Sequence, residues 1–258
     1  GAAGDLPLPN DFDGDGREDV SVYRPSDGTW YMNCTCGGFN AVKFGIAGDI
    51  PQAGDYDGDG ITDNAVFRPS SGTWYVRSGG GSYTATQFGQ TGDVPVPGDY
   101  DGDGKNDLAV WRPSNGTWYF LGAVGGFVAR QFGQDGDKPA QGDFDADGVT
   151  DFVVFRPSSG MWYLQLSKVP TFSATQFGQA GDLPVPADFD GDGKTDISVF
   201  RPSTGIWYRI SATEGFTSYP FGQDGDIPAP ADYDGDGKTD LAVFRSGIFY
   251  IFGSDGPT

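Results

Sequence analysis

Asp99-Tyr100-Asp101-Gly102-Asp103-Gly104-Lys105-Asn106-Asp107 is one of six copies of a nine-residue string that return every 44 or 45 residues along a chain of 258. Its pattern is D-x-D-G-D-G-x-x-D, broken only where Ala146 replaces the first glycine. The aspartates are Asp11, Asp13, Asp15 and Asp19; Asp55, Asp57, Asp59 and Asp63; Asp99, Asp101, Asp103 and Asp107; Asp143, Asp145, Asp147 and Asp151; Asp188, Asp190, Asp192 and Asp196; and Asp232, Asp234, Asp236 and Asp240. A fixed period of this length marks a repeat architecture in which one supersecondary unit is stacked many times.

Around Asp99–Asp107 the third unit reads V-P-V-P-G-D-Y, the acidic loop, D-L-A-V-W-R-P, S-N-G-T-W-Y-F, a glycine-rich turn and G-F-V-A-R-Q-F-G-Q. These are four short stretches of β-branched and aromatic residues, too short and too rich in Gly and Pro for helices. A repeat of about 40–50 residues carrying four strands predicts one propeller blade. The chain is therefore expected to be all-β, a single six-bladed β-propeller over 1–258, with blades at approximately 1–45, 46–89, 90–133, 134–178, 179–222 and 223–258. The first strand, ending at the acidic loop, is expected to line the central channel, where Ala53, Gly98, Ala187 and Ala231 suit a crowded axis.

The sixth repeat departs from the rest. Arg245-Ser246-Gly247-Ile248 shortens the hairpin, Phe249 stands where the other repeats carry Trp, and no fourth strand follows before Thr258. The last blade is expected to lack its outer strand, leaving unpaired backbone groups that invite strand addition by another chain or domain. A head-to-tail polymer is one consequence of such an edge. A harmless three-stranded blade, guarded by Asp255, Gly256 and Pro257, is the alternative.

Carboxylates at loop positions 1, 3, 5 and 9 converge in a tight turn, and a hard cation with about 6–8 oxygen ligands suits them. The carbonyl of position 7 (Arg17, Ile61, Lys105, Val149, Lys194 or Lys238) is expected to add another oxygen, and glycine at position 6 permits a positive φ. Calcium is the expected ion, up to six, one per blade. Magnesium prefers a rigid octahedron that keeps several waters, and zinc would call for Cys or His, of which the chain has no His at all. No Glu closes the loop at position 12 and the flanks are not helical, which sets it apart from an EF-hand. Asp and Gly also mark ordinary turns, but six intact copies weigh against that reading.

The loops hold 24 of the 36 acids and account for most of the net charge of -20. So acidic a surface argues against nucleic acid as a partner. No apolar run is long enough for a membrane helix, and no secretory signal is visible, so a mature secreted or cell-surface protein is expected. Cys34 and Cys36 lie two apart; free thiols, a strained bridge, an intermolecular link or plain turn residues all remain open. Asn33-Cys34-Thr35 and Asn115-Gly116-Thr117 match the glycosylation pattern.

Two further elements recur. Gly-Asp-x-Pro places Asp5, Asp49, Asp93, Asp137, Asp182 and Asp226, and an Arg (24, 68, 112, 156, 201 and 245) precedes each hairpin. Arg with Trp30, Trp74, Trp118, Trp162 and Trp207 admits two readings: a sugar platform, or blade packing with Arg tied to the Gly-Asp-x-Pro carboxylate. The second is favoured, because groups needed in every blade build blades.

Phe44-Gly45, Phe88-Gly89, Phe132-Gly133, Phe177-Gly178 and Phe221-Gly222, each followed by Gly-Asp-x-Pro and the acidic loop, resemble the FG-GAP or VCBS repeat family. That class includes the integrin α-subunit propeller and integrin-like fungal lectins. The resemblance implies a calcium-stabilised propeller whose loops bind proteins or glycans outside the cell. Six repeats in place of the integrin seven set integrin-like ligand binding apart.

Without His, Ser-His and Cys-His nucleophile systems are excluded. The off-pattern glutamates are Glu18, inside a loop, and Glu214, in a turn, which is little for glycoside hydrolysis. The expected function is non-enzymatic: an extracellular adhesion, scaffolding or self-assembling module. Alternatives are a lectin, and a non-catalytic domain of a secreted polysaccharide-degrading enzyme.

Overall fold

The computed structural model describes residues 1–35, 37–79, 81–168 and 172–254. Cys36 and the Asp255-Gly256-Pro257 segment lie outside the described residues. The described residues form six antiparallel sheets and no helix, with strands paired in sequence order within each sheet. The third sheet is typical: Val94–Pro95, Leu108–Arg112, Thr117–Gly122 and Gly126–Gln131. The last sheet has three strands, Ile227–Pro228, Leu241–Arg245 and Ile248–Phe252. The protein is a six-bladed β-propeller with an incomplete sixth blade.

The first strand of each blade is shorter than the sequence led us to expect. It pairs over only two residues, then touches the second strand again at a single bridge beside the acidic loop, as at Gly98↔Asp107. Pro95 and Pro97 lack the N–H that a continuous ladder requires. The bridge residue still sits in a tight place: a Cβ on Gly98 would come within 2.6 Å of the Thr150 hydroxyl of the next blade.

The core lies between blades. Val96, Tyr100, Trp111, Trp118 and Phe120 of the third blade pack with Phe152 and Val154 of the fourth, and the pattern continues with Phe155 and Trp162 against Val199. Alternation within strand three turns Trp118 inward and Tyr119 toward the other face. Trp30, Trp74, Trp118, Trp162 and Trp207 are at most 1% exposed. Each donates its indole N–H to the carbonyl of the Phe-Gly phenylalanine of its own blade, at 2.7–2.9 Å. These tryptophans fasten the outer strand and are closed to a sugar.

The recurrent Arg and Asp form the expected tie. Nε and Nη2 of Arg24, Arg68, Arg112, Arg156, Arg201 and Arg245 grip both oxygens of Asp5, Asp49, Asp93, Asp137, Asp182 and Asp226 at 2.6–2.9 Å. Such bidentate pairs are the strong kind. Arg245 holds Asp226 below the usual carboxylate range despite its burial. A tyrosine next to each Trp (Tyr31, Tyr75, Tyr119, Tyr163 and Tyr208) lies under its guanidinium at 4.3–4.4 Å, and Tyr250 does so at 4.7 Å in blade six.

Candidate metal centre

The loop winds around its first aspartate. In the third blade Asp99 Oδ1 accepts from the amides of Gly102 and Asp103 at 2.6 and 3.2 Å, and Oδ2 from Gly104 at 2.8 Å. Gly14, Gly58, Gly191 and Gly235 bond their loops' first aspartates in the same way. Asp147 and Gly148 do so for Asp143, with Ala146 accepting the left-handed backbone at φ 60°. The amide of position 7 donates to position 5: Arg17 to Asp15, Ile61 to Asp59, Lys105 to Asp103, Val149 to Asp147, Lys194 to Asp192 and Lys238 to Asp236, at 2.9–3.0 Å. The ninth residue (Asp19, Asp63, Asp107, Asp151, Asp196 or Asp240) is buried and accepts the amide of position 2 at 2.8–3.0 Å.

These bonds leave carboxylate oxygens gathered in one place. Ligand atoms of Asp11, Asp13 and Asp15 lie within 4.8 Å of one another, as do those of Asp55, Asp57 and Asp63, of Asp99, Asp101 and Asp107, and of Asp143, Asp145 and Asp151. Asp101 Oδ1 and Asp145 Oδ1 are buried and have no hydrogen-bond partner. A buried carboxylate oxygen without a donor is costly. The donor set is all hard oxygen, so these residues fit a hard divalent cation better than a softer metal.

Electrostatics say the same. Burial, reinforced by the neighbouring loop aspartates and only partly offset by a backbone amide, pushes Asp107 up to about 6 and Asp196 up to about 7. Burial also takes Asp151 to about 6, against amides of Phe144 and Ser167 and with Asp145 and Asp143 adding to it. In the unfolded chain such a group titrates near 3.8. Its contribution to metal-free stability is therefore full below about pH 4 and lost as pH rises through about 6–7. Metal-free protein is expected to melt at a higher temperature at pH 5 than at pH 7.5. Scanning calorimetry in excess chelator checks this, and a higher melting temperature at pH 7.5 would contradict it.

Two features of the site were not foreseen. The segment that follows strand three folds over the loop of its own blade: Val124 N donates to Asp101 at 2.8 Å, Thr213 N to Asp190 at 3.0 Å, Ser167 N to Asp151 at 2.8 Å and, after the last strand of the three-stranded blade, Ser254 N to Asp240 at 2.7 Å. The Thr35 hydroxyl bonds Asp15. Thr35, Ser167, Thr213 and Ser254, small hydroxyl residues about 15 positions after the last aspartate of their loops, were the available signal. Neighbouring loops are also chained. The amides of Thr62, Asn106, Thr150, Thr195, Thr239 and Glu18 donate to the carbonyls of Asp11, Asp55, Asp99, Asp143, Asp188 and Asp232 at 2.6–2.9 Å, so the six loops close a ring.

The remaining candidates have structural partners. Arg209 grips Glu214 at 2.6 Å. The Glu18 carboxylate accepts the Asp232 amide at 2.9 Å, across the closure between blades six and one. The Cys34 thiol hydrogen-bonds Asp19 and lies with Asp13 and Asp19 in one cluster.

A propeller whose every blade carries an aspartate-rich loop is thus defined. The FG-GAP-like repeat model matches residues 55–110, 99–154, 143–199 and 188–243, more than half of the chain. The chain belongs to the FG-GAP-like repeat family. No curated protein matches it by sequence. Among solved structures it is similar to a lectin of Agrocybe aegerita described as recognising non-reducing terminal N-acetylglucosamine, at 16% identity and TM-score 0.64, covering 98% of this chain and 77% of that one. It is also similar to virginiamycin B lyase of Staphylococcus aureus, at 8% identity and TM-score 0.60, covering 96% and 87%. At such identities the likeness is one of fold.

Proposed function

We propose that this protein is a non-enzymatic, calcium-stabilised extracellular scaffold that presents a rigid propeller surface to a protein or glycan at the cell surface. The observation that carries this reading is the chained ring of six acidic loops, with aspartate oxygens gathered in the loops and hydrogen bonds from each loop to the next. Calcium in these loops would be held by the aspartates at positions 1, 3, 5 and 9 and would supply charge neutralisation and rigidity. High free calcium outside the cell suits such loops. The test is binding of labelled protein to intact cell surfaces in calcium and in chelator. Binding is expected in calcium and lost in chelator; equal binding in both conditions would overturn the reading.

A lectin is the second reading, favoured by one observation. A cleft of about 630 Å³ opens between blades one and two, lined among others by Met32, Asn40, Lys43, Asp59, Asn64 and Arg77. Polar groups over an apolar floor suit a sugar. A glycan array carrying terminal N-acetylglucosamine among other sugars, probed in calcium, separates the two. No signal on any glycan at high protein concentration would count against the lectin.

A further inference from the structure

The cleft between blades one and two is where the blades depart from their own pattern in charge. Asn64 and Arg77 face each other across strands two and three of the second blade. At the Asn64 place the other blades carry Val20, Leu108, Phe152, Ile197 and Leu241, all apolar, and at the Arg77 place Asn33, Leu121, Gln165, Ile210 and Phe252, none charged. Lys43 faces Thr29 in the first blade, and its counterparts Gln87, Gln131, Gln176 and Pro220 are uncharged as well. All three exceptions line this one cleft of about 630 Å³.

Asn64 is 6% exposed, and its amide nitrogen meets the Met32 sulfur at 3.9 Å, a weak acceptor. Its amide oxygen accepts no hydrogen bond among the described residues. A buried amide so poorly satisfied is costly. Among the described residues the Arg77 and Lys43 side chains form no ion pair and no hydrogen bond, in a chain of net charge -20. The acids that share the cleft, Asp59 and Asp63, are engaged in their own loop, where they accept the amides of Ile61 at 2.9 Å and Tyr56 at 3.0 Å. The other clefts are filled or differently charged. Between blades three and four, Phe120 and Phe152 stack with Tyr100, and the Arg130 guanidinium covers Phe152 at 4.9 Å. Between five and six, Arg209 and Tyr219 leave about 70 Å³. Between two and three, Leu108 takes the Asn64 place and Lys105 is spent on the Asp57 carbonyl at 2.6 Å. Between six and one, Val20 takes that place and Glu18 lies with Arg17 in the lining.

Resting on the reading of this protein as a lectin, we propose that the cleft between blades one and two is a single site for a sugar that carries a carboxylate, of the uronic or sialic acid class. Arg77 takes the carboxylate, since a guanidinium offers a planar pair of donors that matches it. Lys43 adds a second positive charge. The amides of Asn64 and Asn40, each both donor and acceptor, take ring hydroxyl groups. Met32 and Val42 supply the apolar floor. An acidic chain repels an acidic sugar over most of its surface, so the two unpaired cations also decide where on the propeller such a ligand settles. Because Asn64, Arg77 and Lys43 have no counterparts in the other blades, one site per chain follows from six repeats.

The test is calorimetric titration of the full chain, in calcium, with methyl glucuronide, methyl galacturonide and sialyllactose, each beside its uncharged counterpart (methyl glucoside, methyl galactoside and lactose). At least one acidic probe is expected to bind saturably at one per chain, at least about tenfold more tightly than its neutral counterpart, and to weaken in ~1 M salt, where the screening length falls to about 3 Å. Arg77→Gln should weaken that binding at least about tenfold, as loss of one partner of a charge-assisted contact does. Asn64→Leu, which restores the residue type of Leu108 and Leu241, should abolish binding without lowering the melting temperature, so that loss of the site is separated from loss of the fold. Saturable binding of neutral sugars with equal or greater affinity would overturn the proposal and leave the lectin reading standing. No saturable binding of any of the six sugars would overturn both. Acidic-sugar binding at several sites per chain, or unmoved by both substitutions, would place the site elsewhere and overturn the proposal, as would a glutamate-rich peptide that binds the cleft while the acidic sugars do not.

Discussion

Excess chelator is expected to lower the melting temperature by roughly 15–30 °C at neutral pH, the largest single effect in this protein. If free calcium stands about tenfold above each dissociation constant, mass action contributes about 1.4 kcal/mol per site, or about 8 kcal/mol over six. That is comparable with the whole net stability of an ordinary domain, and each kcal/mol moves the transition of a chain of this size by about 2–4 °C. Emptying the loops also leaves 24 aspartates to repel one another within a net charge of -20. The loss should be cooperative, because each loop is hydrogen-bonded to the next around the ring. Calorimetry with and without chelator measures it; an unchanged melt would show that the loops close without an ion.

The second large effect comes from the Arg–Asp ties. Arg156→Met is expected to destabilise the calcium-loaded protein by about 3 kcal/mol, since removing one partner of a buried pair strands the other charge. Asp137 is fully buried at its side chain and would keep one donor, the Gln134 amide at 3.0 Å. Arg156 is itself 21% exposed, which places the cost at the lower end of the range for buried pairs. A fall in melting temperature of roughly 6–12 °C follows. Arg156→Met with Asp137→Leu should recover part of the loss, because apolar replacement of both partners is less damaging than a stranded carboxylate. A loss below about 1 kcal/mol in urea titration would class the tie as an ordinary surface ion pair.

Much of this was legible in the chain because the repetition itself carries the information. The spacing of the acidic string gave the blade count, the lack of a fourth apolar stretch after Ile248–Phe252 pointed to the three-stranded last blade, and the recurrence of Arg with Gly-Asp-x-Pro identified the tie. What escaped was of two kinds. Proline spacing in V-P-V-P should have cut the first strand to two residues, but a run of small apolar residues reads as a continuous strand. The ring contacts join residues as far apart as Glu18 and Asp232, and no local pattern encodes which loop meets which. The tyrosines beneath the arginines lay in plain view beside each Trp. Their role depends on strand alternation placing them on the face away from the core, which the aromatic run Trp-Tyr-Phe obscures.

On the proposed function, each of the six loops holds one calcium ion. Equilibrium dialysis of the folded protein against a calcium buffer, followed by mass-spectrometric metal analysis, tests it most directly. About six calcium ions per chain are expected, and about one fewer when Asp101 and Asp107 of the third loop are both changed to Asn. Retention of no calcium, or a content unaffected by that pair of substitutions, would contradict it.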